Sequence, residues 1–178
     1  RNAHPHYSSN EKLAIIHNGI IENYSSLKQE LINKGHVFLS DTDTEVLIHF
    51  IEDIKINNNC SLEEAVRLAL TKVVGAYAIV IMSADDPTVL IAARKGSPLV
   101  IGMGKGEYFM ASDATPIIEY TNEVVYLNDQ EIAVVKDGKL TVKTTTNLPL
   151  TPYIQTLDLE LEAIEKGGFE HFMLKEIF

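Results

Sequence analysis

Apolar and polar positions in the first part of the chain predict alternating strands and helices. The run "KLAIIHN", residues 12–18, contains four successive apolar residues and is typical of a buried strand. The next segment predicts a helix from Asn23, a capping residue, to Gly35, with an apolar face formed by Tyr24, Leu27 and Leu31. "HVFLS", residues 36–40, predicts a short strand.

Two further helices share one start signal. Thr42–Glu45 ("TDTE") and Ser61–Glu64 ("SLEE") each place a hydroxyl at the cap and a carboxylate three residues later, which is the spacing of a capping box. Apolar residues follow at helical spacing: Val46, Leu47, Phe50, Ile51 and Ile54 after the first box, and Leu62, Ala65, Val66, Ala69 and Val73 after the second. Each helix is therefore predicted to bury one face.

The second half of the chain is rich in predicted strands. "AYAIVIM" and "TVLIAA" are separated by the turn "SADDP" and predict a pair of core strands. "PLVIGMGKGEYFMAS" predicts a hairpin around a Gly-rich turn, and Asp137-Gly138 predicts a hairpin corner after the strand-like runs "EVVYL" and "EIAVVK". Helices packed against antiparallel strands predict an α+β sandwich.

The amino-acid composition limits which binding partners and which cellular compartment are expected. The 178 residues include 25 acidic and 15 basic side chains, and the net charge of -10 argues against a nucleic-acid partner. All apolar runs are shorter than the roughly 18 residues of a membrane helix, so no membrane partner is expected. The single cysteine, Cys60, excludes an internal disulfide and favours a reducing compartment, so we expect a cytoplasmic protein.

The stretch "LAIIHNGIIENY", residues 13–24, interrupts its apolar run with His17, Asn18 and Gly19. One interpretation is a hairpin turn, because Asn and Gly both tolerate positive φ. The other is an oxyanion site, in which the Asn18 amide and the Gly19 N–H point at one developing negative charge. His17 is expected to pack or to form a hydrogen bond beside this corner.

Asp43 also has two interpretations. A carboxylate in the first turn of a helix is stabilised by the positive end of the helix dipole, and this alone accounts for the residue. In the functional interpretation, Asp43 is a fixed anion that binds the ammonium group of a substrate.

Three further motifs predict structure rather than chemistry. "HPH", residues 4–6, offers two metal ligands, but a zinc site needs a third and no HExxH occurs, so no metal is expected. Cys60 lies near a helix start that can lower a thiol pKa, but no base is placed beside it. "GMGKG", residues 102–106, matches neither phosphate-loop pattern and is expected to be a hairpin turn.

Seven segments, in order along nearly the whole chain, resemble the glutamine amidotransferase domain of the glucosamine-6-phosphate synthase family. They are "NAHPH", "IIHNGIIENY", "SDTDTEV", "GAYAIVIM", "AARKGSPLVIG", "ASDATPI" and "HFMLKEIF". HNG and TDTE alone would indicate only the wider class of amidotransferases with an N-terminal cysteine. "ARKGSPLVIG" and "HFMLKEIF" point to the sugar-phosphate enzymes.

The resemblance implies a fold of the N-terminal-nucleophile hydrolase type, a four-layer αββα sandwich with two antiparallel sheets between helical layers. It implies that an N-terminal cysteine attacks the side-chain amide of glutamine with its own α-amino group as base, and that no metal or organic cofactor takes part. Asn18 and Gly19 match the oxyanion hole of the family. Asp43 matches the carboxylate that holds the α-ammonium group of glutamine.

The resemblance also implies partners. Ammonia would pass to a sugar isomerase domain of the same polypeptide, where fructose 6-phosphate becomes glucosamine 6-phosphate. Residues 1–165 would form a partial amidotransferase domain and residues 166–178 the start of a linker, and we expect a homo-oligomer. The alternatives are an amidotransferase of the phosphoribosylpyrophosphate amidotransferase or asparagine synthetase type, and a non-catalytic binding module.

The chain departs from the family pattern at its start. Position 1 is Arg rather than the nucleophilic cysteine, and a "TRWATHG"-type segment, which carries the arginine for the glutamine α-carboxylate, does not occur. We therefore expect an internal fragment, incomplete at the N-terminus, that has no glutaminase activity by itself. Cys60 lacks a free α-amino group and is not expected to replace the nucleophile.

Overall fold

The computed structural model describes residues 2–157, which form two antiparallel sheets and three helices. The strands are β1 (His6–Tyr7), β2 (Leu13–Ile21), β3 (Gly75–Ser83), β4 (Val89–Lys95), β5 (Val100–Met103), β6 (Tyr108–Ala111), β7 (Glu123–Tyr126), β8 (Glu131–Lys136), β9 (Lys139–Thr144), β10 (Pro149–Leu150) and β11 (Gln155–Thr156). A seven-stranded sheet has the order β1-β2-β3-β4-β8-β9-β10, and a four-stranded sheet has the order β11-β7-β5-β6.

The helices are α1 (Tyr24–Asn33), α2 (Asp43–Asn57) and α3 (Leu62–Leu70). Both predicted capping boxes begin a helix. The Thr42 hydroxyl accepts a hydrogen bond of 3.2 Å from the Glu45 N–H, and the Ser61 hydroxyl accepts one of 3.2 Å from the Glu64 N–H. None of the helices in residues 2–157 is long and apolar enough to cross a membrane.

Asn23 precedes α1, but its side chain does not cap the helix. Its amide instead donates to the Lys72 carbonyl and its oxygen accepts from the Val74 N–H, both at 2.9 Å. The residue therefore ties the start of α1 to the segment between α3 and β3. At the other end of α1, Gly35 has a φ of +94°, as the predicted helix stop requires.

The helices cover one face of the seven-stranded sheet. Tyr77, Ile79 and Ile81 of β3 point to this face and are buried with Leu47 and Ile51 of α2. The opposite face presents small buried residues of β3, β4 and β8. They pack with residues in or next to the strands of the four-stranded sheet: Ala78, Ala92 and Ala133 against Ile101, Val125 and Leu127. Alternating burial along each strand thus builds a helix–sheet–sheet stack.

Residues 2–157 supply three of the four layers implied by the resemblance. On the outer face of the four-stranded sheet, Ile117 packs on Val100 and Val124, and Ile117 lies in a turn segment. The predicted linker, residues 166–178, lies outside the described residues.

The predicted hairpins are present. β3 pairs with β4, β5 with β6, and β8 with β9, all antiparallel. The Gly-rich segment turns at Gly106, whose φ is +78°. Asp137 and Gly138 both have positive φ, +49° and +70°, which is the geometry of a tight hairpin corner.

One predicted strand is wrong. Residues 36–40 form no strand, because the backbone N–H groups of Leu39 and Ser40 donate to the side chain of Glu45. The Glu45 side chain therefore binds the backbone N–H groups that would otherwise pair with a neighbouring strand.

Candidate active site

Asn18 and Gly19 lie inside β2 and not at a corner. β2 pairs with β3 without interruption from Leu13, opposite Ser83, to Ile21, opposite Gly75. The hairpin interpretation of this pair is therefore wrong. The strand alternates, so that His17 is buried on the helix side while Asn18 is exposed.

The structure itself requires a glycine at position 19, independently of any catalytic role. Its φ is +131°, and a Cβ placed on it would lie 2.2 Å from the carbonyl oxygen of Ala76 on β3. Any larger residue would collide with the neighbouring backbone. The same absence of a side chain leaves the backbone at this position open to close approach by a ligand.

The start of α2 is fixed by a dense set of hydrogen bonds to Glu45. Its carboxylate accepts from the N–H groups of Leu39 and Ser40 at 2.7 Å each, and from the Ser40 hydroxyl at 2.5 Å. Burial alone would raise the pKa of Glu45, but these donors outweigh it and hold the pKa below its usual value. The loop before the helix is thereby held against the first turn.

Asp43 is the first residue of α2 and faces β2. Its Oδ2 atom accepts a hydrogen bond of 2.7 Å from the Ile21 N–H. Its Oδ1 atom lies 3.4 Å from the Thr44 hydroxyl and 4.0 Å from Nδ1 of His17. The side chain is about one-fifth exposed, so the carboxylate is fixed by the strand through Oδ2 and is still partly open to solvent.

His17 joins the same group. Its Nδ1 lies 3.0 Å from the Thr44 hydroxyl, so the expected hydrogen bond is present, although within the strand rather than at a turn. Its Nε2 is buried and has no hydrogen-bond partner among residues 2–157. Burial lowers the pKa of His17, and this outweighs the Asp43 carboxylate, which acts in the opposite direction.

Two adjoining cavities connect the predicted residues. A cavity of about 420 Å³ is lined by Gly19 and Asp43, and one of about 260 Å³ is lined by Asn18. His4 and His17 line both of them. The structure therefore brings together all three residues singled out from the sequence.

Sequence reasoning missed two residues of this region. His6 is buried, lines the larger of these two cavities and lies 3.4 Å through Nε2 from the Thr42 hydroxyl. Tyr24, the first residue of α1, lines it too. The only sequence signal for His6 is the "HPH" motif, which indicates a pair of metal ligands and not a substrate pocket.

Cys60 and the Gly-rich turn at residues 102–106 lie apart from these cavities, whereas His4 and His6 of the "HPH" motif line them. Cys60 is a free, partly buried thiol that packs against the main core, in line with its predicted structural role. Among residues 2–157, no group of three or more His, Cys, Asp or Glu side chains is arranged to hold a metal ion.

Comparison with known proteins gives the family. Residues 1–119 match the glutamine amidotransferase domain. The chain belongs to the glutamine amidotransferase domain family. This amidotransferase domain is 60% identical over 178 residues to the glutamine–fructose-6-phosphate aminotransferase (isomerizing) of Bacteroides thetaiotaomicron, and 50% identical over 179 residues to that of Pyrococcus horikoshii. Each match covers 99% of this chain, which spans 29% and 30% of the two relatives.

Solved amidotransferases have the same fold. The glutamine phosphoribosylpyrophosphate amidotransferase of B. subtilis superposes with a TM-score of 0.67 at 30% identity, over 81% of this amidotransferase domain and 32% of that chain. A glutamine aminotransferase class-II domain protein from Silicibacter pomeroyi, at 14% identity and a TM-score of 0.57, shares the fold over 80% of this chain and 70% of its own. The predicted α+β sandwich of the N-terminal-nucleophile type is confirmed.

Proposed function

We propose that the chain is part of a domain that hydrolyses the side-chain amide of glutamine, in which Asn18 and Gly19 are the oxyanion donors and Asp43 anchors the α-ammonium group. The observation that carries the proposal is the convergence of β2 and the start of α2 on the adjoining cavities that these residues line. Family membership supports it independently.

The geometry of Asp43 suits an ammonium group. Oδ2 is held by the Ile21 N–H, which fixes the orientation of the carboxylate before any ligand arrives. Oδ1 then presents a negative charge to the cavity. A cation that meets a fixed, partly buried carboxylate forms a charge-assisted hydrogen bond, which is stronger than a neutral one.

Asn18 and Gly19 suit the other end of glutamine. Addition of a nucleophile to the amide carbon places a negative charge on the amide oxygen. An amide N–H₂ on an exposed side chain and a backbone position without a Cβ are the groups that can approach such an oxygen closely. The nucleophile in this proposal is the N-terminal cysteine implied by the family. Cys60 packs against the main core and takes no part.

The relatives support one acceptor for the ammonia. The glutamine–fructose-6-phosphate aminotransferase of Bacteroides thetaiotaomicron is 60% identical to this domain, whereas the phosphoribosylpyrophosphate amidotransferase of B. subtilis is 30% identical. We therefore favour fructose 6-phosphate as the acceptor and glucosamine 6-phosphate as the product, within hexosamine biosynthesis. The proposal includes residues 1–165 as the amidotransferase part, residues 166–178 as the start of a linker to a sugar isomerase domain, a homo-oligomer and a cytoplasmic location.

A chimera tests this function. The 178 residues would replace the matching residues of the Bacteroides thetaiotaomicron relative, which supplies the rest of that polypeptide. We expect the purified chimera to form glutamate from glutamine, and glucosamine 6-phosphate when fructose 6-phosphate is added. A chimera that folds, as shown by circular dichroism and a cooperative melt, but releases no glutamate would refute the proposal. Release of glutamate without the amino sugar would refute only the acceptor.

A further inference from the structure

A larger cavity, of about 690 Å³, lies along the face of α2 that carries Glu45, His49 and Glu52. Three side chains from three separate segments meet at its wall. Ser9 comes from the loop between β1 and β2, His36 from the segment after α1, and His49 from α2 itself. His49 is 2% exposed and its ring stacks on Phe38, with ring centroids 4.7 Å apart.

The polar atoms of these side chains converge on one point. Nδ1 of His36 and Nδ1 of His49 are 3.4 Å apart, and the Ser9 hydroxyl lies 3.1 Å from the first and 3.0 Å from the second. Two Zn–N bonds of about 2.0–2.1 Å at a tetrahedral angle place their nitrogens about 3.3–3.4 Å apart. The two imidazoles therefore already have the separation that a shared tetrahedral cation requires.

The opposite ring nitrogens face carboxylates. Nε2 of His36 lies 3.7 Å from Asp53 and Nε2 of His49 lies 3.9 Å from Glu45. Both separations are too long for a direct hydrogen bond, so the carboxylates act on the rings through their negative charge, whereas the usual outer partner of a metal-binding histidine accepts from its far N–H. The Lys34 ammonium offsets part of this charge, since it binds Asp53 at 2.7 Å. The charge around the two histidines remains negative, because one ammonium group faces three carboxylates: Glu45, Glu52 and Asp53.

A catalytic serine is the competing explanation, since Ser9 and His49 are in hydrogen-bond contact. The backbone groups beside Ser9 argue against it. The N–H groups of Ser9 and Asn10 donate to the Glu52 carboxylate at 3.0 and 3.2 Å. Donors that would have to stabilise an oxyanion are thus already bound to an anion, so a tetrahedral intermediate on Ser9 would meet negative charge instead.

We propose that His36 and His49 bind one zinc-class divalent cation through their Nδ1 atoms, with the Ser9 hydroxyl and water completing a tetrahedral shell. Imidazole ligands suit Zn²⁺ and the neighbouring late transition ions. Because the described protein ligands include only two imidazoles, the site is open and binds more weakly than a closed structural zinc site. A bound ion would join the loop after β1 and the segment after α1 to the helix that begins with Asp43.

Titration with zinc tests the proposal. Zn²⁺ alone would be added at pH 7.5 to the 178-residue chain prepared without a polyhistidine tag, and followed by calorimetry. We expect one equivalent to bind with micromolar affinity, and Co²⁺ to give the visible absorption of a four-coordinate site. Zinc at 100 times its dissociation constant should reduce the unfolding equilibrium constant about 100-fold.

Variants locate the ion. His36→Gln and His49→Gln should each weaken binding at least about tenfold, since even loss of an outer partner costs that much. His36 is partly exposed, so its variant keeps the test valid if replacement of buried His49 prevents folding. His4→Gln is the matched control and should bind zinc as the wild type does. Absence of saturable binding, equal binding by His36→Gln, or loss of binding in His4→Gln would each overturn the proposal.

Discussion

The Asp43 carboxylate accepts a 2.7 Å hydrogen bond from the Ile21 N–H, across 22 positions of the sequence. This bond attaches the first turn of α2 to β2, two residues beyond Gly19. It fixes the distance between the proposed ammonium anchor and the proposed oxyanion donors. The same carboxylate therefore has a structural and a binding role, and substitutions can separate them.

Asp43→Asn in the chimera should raise the KM for glutamine about 10–100-fold, because a charge-assisted hydrogen bond contributes about 1.5–3 kcal/mol. The asparagine oxygen can still accept from Ile21, so the melting temperature should change little. Steady-state glutaminase kinetics and thermal melts measure the two effects. Glutaramate, which lacks the α-ammonium group, is the control ligand. If Asp43→Asn weakens inhibition by glutaramate by the same factor as it raises the KM for glutamine, Asp43 does not contact the ammonium group.

Asn18→Ala should lower kcat for glutamine hydrolysis about 10²–10³-fold and leave KM nearly unchanged, because an oxyanion donor acts mainly in the transition state. Asn18 is exposed, so stability should stay within about 0.5 kcal/mol of the wild type. Asn18→Asp has the same shape without the N–H donor and should be at least as slow. A kcat within threefold of the wild type in both variants would exclude the oxyanion role.

Local signals predicted the helices well. The Thr42 and Ser61 boxes begin α2 and α3 because a side-chain hydroxyl and a backbone N–H three residues on are enough to define a helix start. The hairpin at Asp137-Gly138 follows equally from two residues with positive φ. These elements depend on neighbours in the sequence, so the sequence alone was sufficient.

Tertiary contacts decided the elements that local signals missed. Asn18-Gly19 would be a good turn in isolation, but pairing with β3 extends β2 through both residues, and the Ala76 carbonyl accounts for the glycine. Residues 36–40 are held by Glu45 and not by a neighbouring strand. The resemblance to a family identified Asn18, Gly19 and Asp43. Periodicity could not have predicted that His17 and His6 would line the cavity with them.

Gly19→Ala should destabilise the domain by about 2–4 kcal/mol, because the new Cβ would meet the Ala76 carbonyl and the backbone would be strained. Gly138→Ala is the matched control. Its φ is +70° but no atom lies within 4 Å of the new Cβ, so we expect only about 1–2 kcal/mol of conformational strain. Urea unfolding measures both. Equal losses of stability in the two variants would mean that β3 does not lie close enough to Gly19 to exclude a Cβ.

Ser61→Ala should cost about 0.5–2 kcal/mol of stability, since the Glu64 N–H loses its cap. Ser61→Asp should retain most of this stability, because an aspartate side chain also caps a helix and carries a favourable charge at a helix start. Neither variant should alter glutaminase kinetics of the chimera, because Ser61 lies at α3, away from the cavities. A change in kcat would show that α3 influences the site.

Stability should fall as the pH is lowered below neutrality, in part through His17. The pKa of buried His17 is below its ordinary value of 6.5 in the folded state, so the unfolded chain takes up a proton that the folded chain does not. Stability from this residue is therefore fully present above pH 6.5 and is lost as the pH falls from 6.5 towards the lowered folded pKa. His17→Gln removes this titration, and urea unfolding at pH 8, 6.5 and 5.5 compares the two proteins. The wild type should lose more stability than the variant over this interval, and parallel curves would show that His17 is protonated in the folded domain as readily as in the unfolded chain.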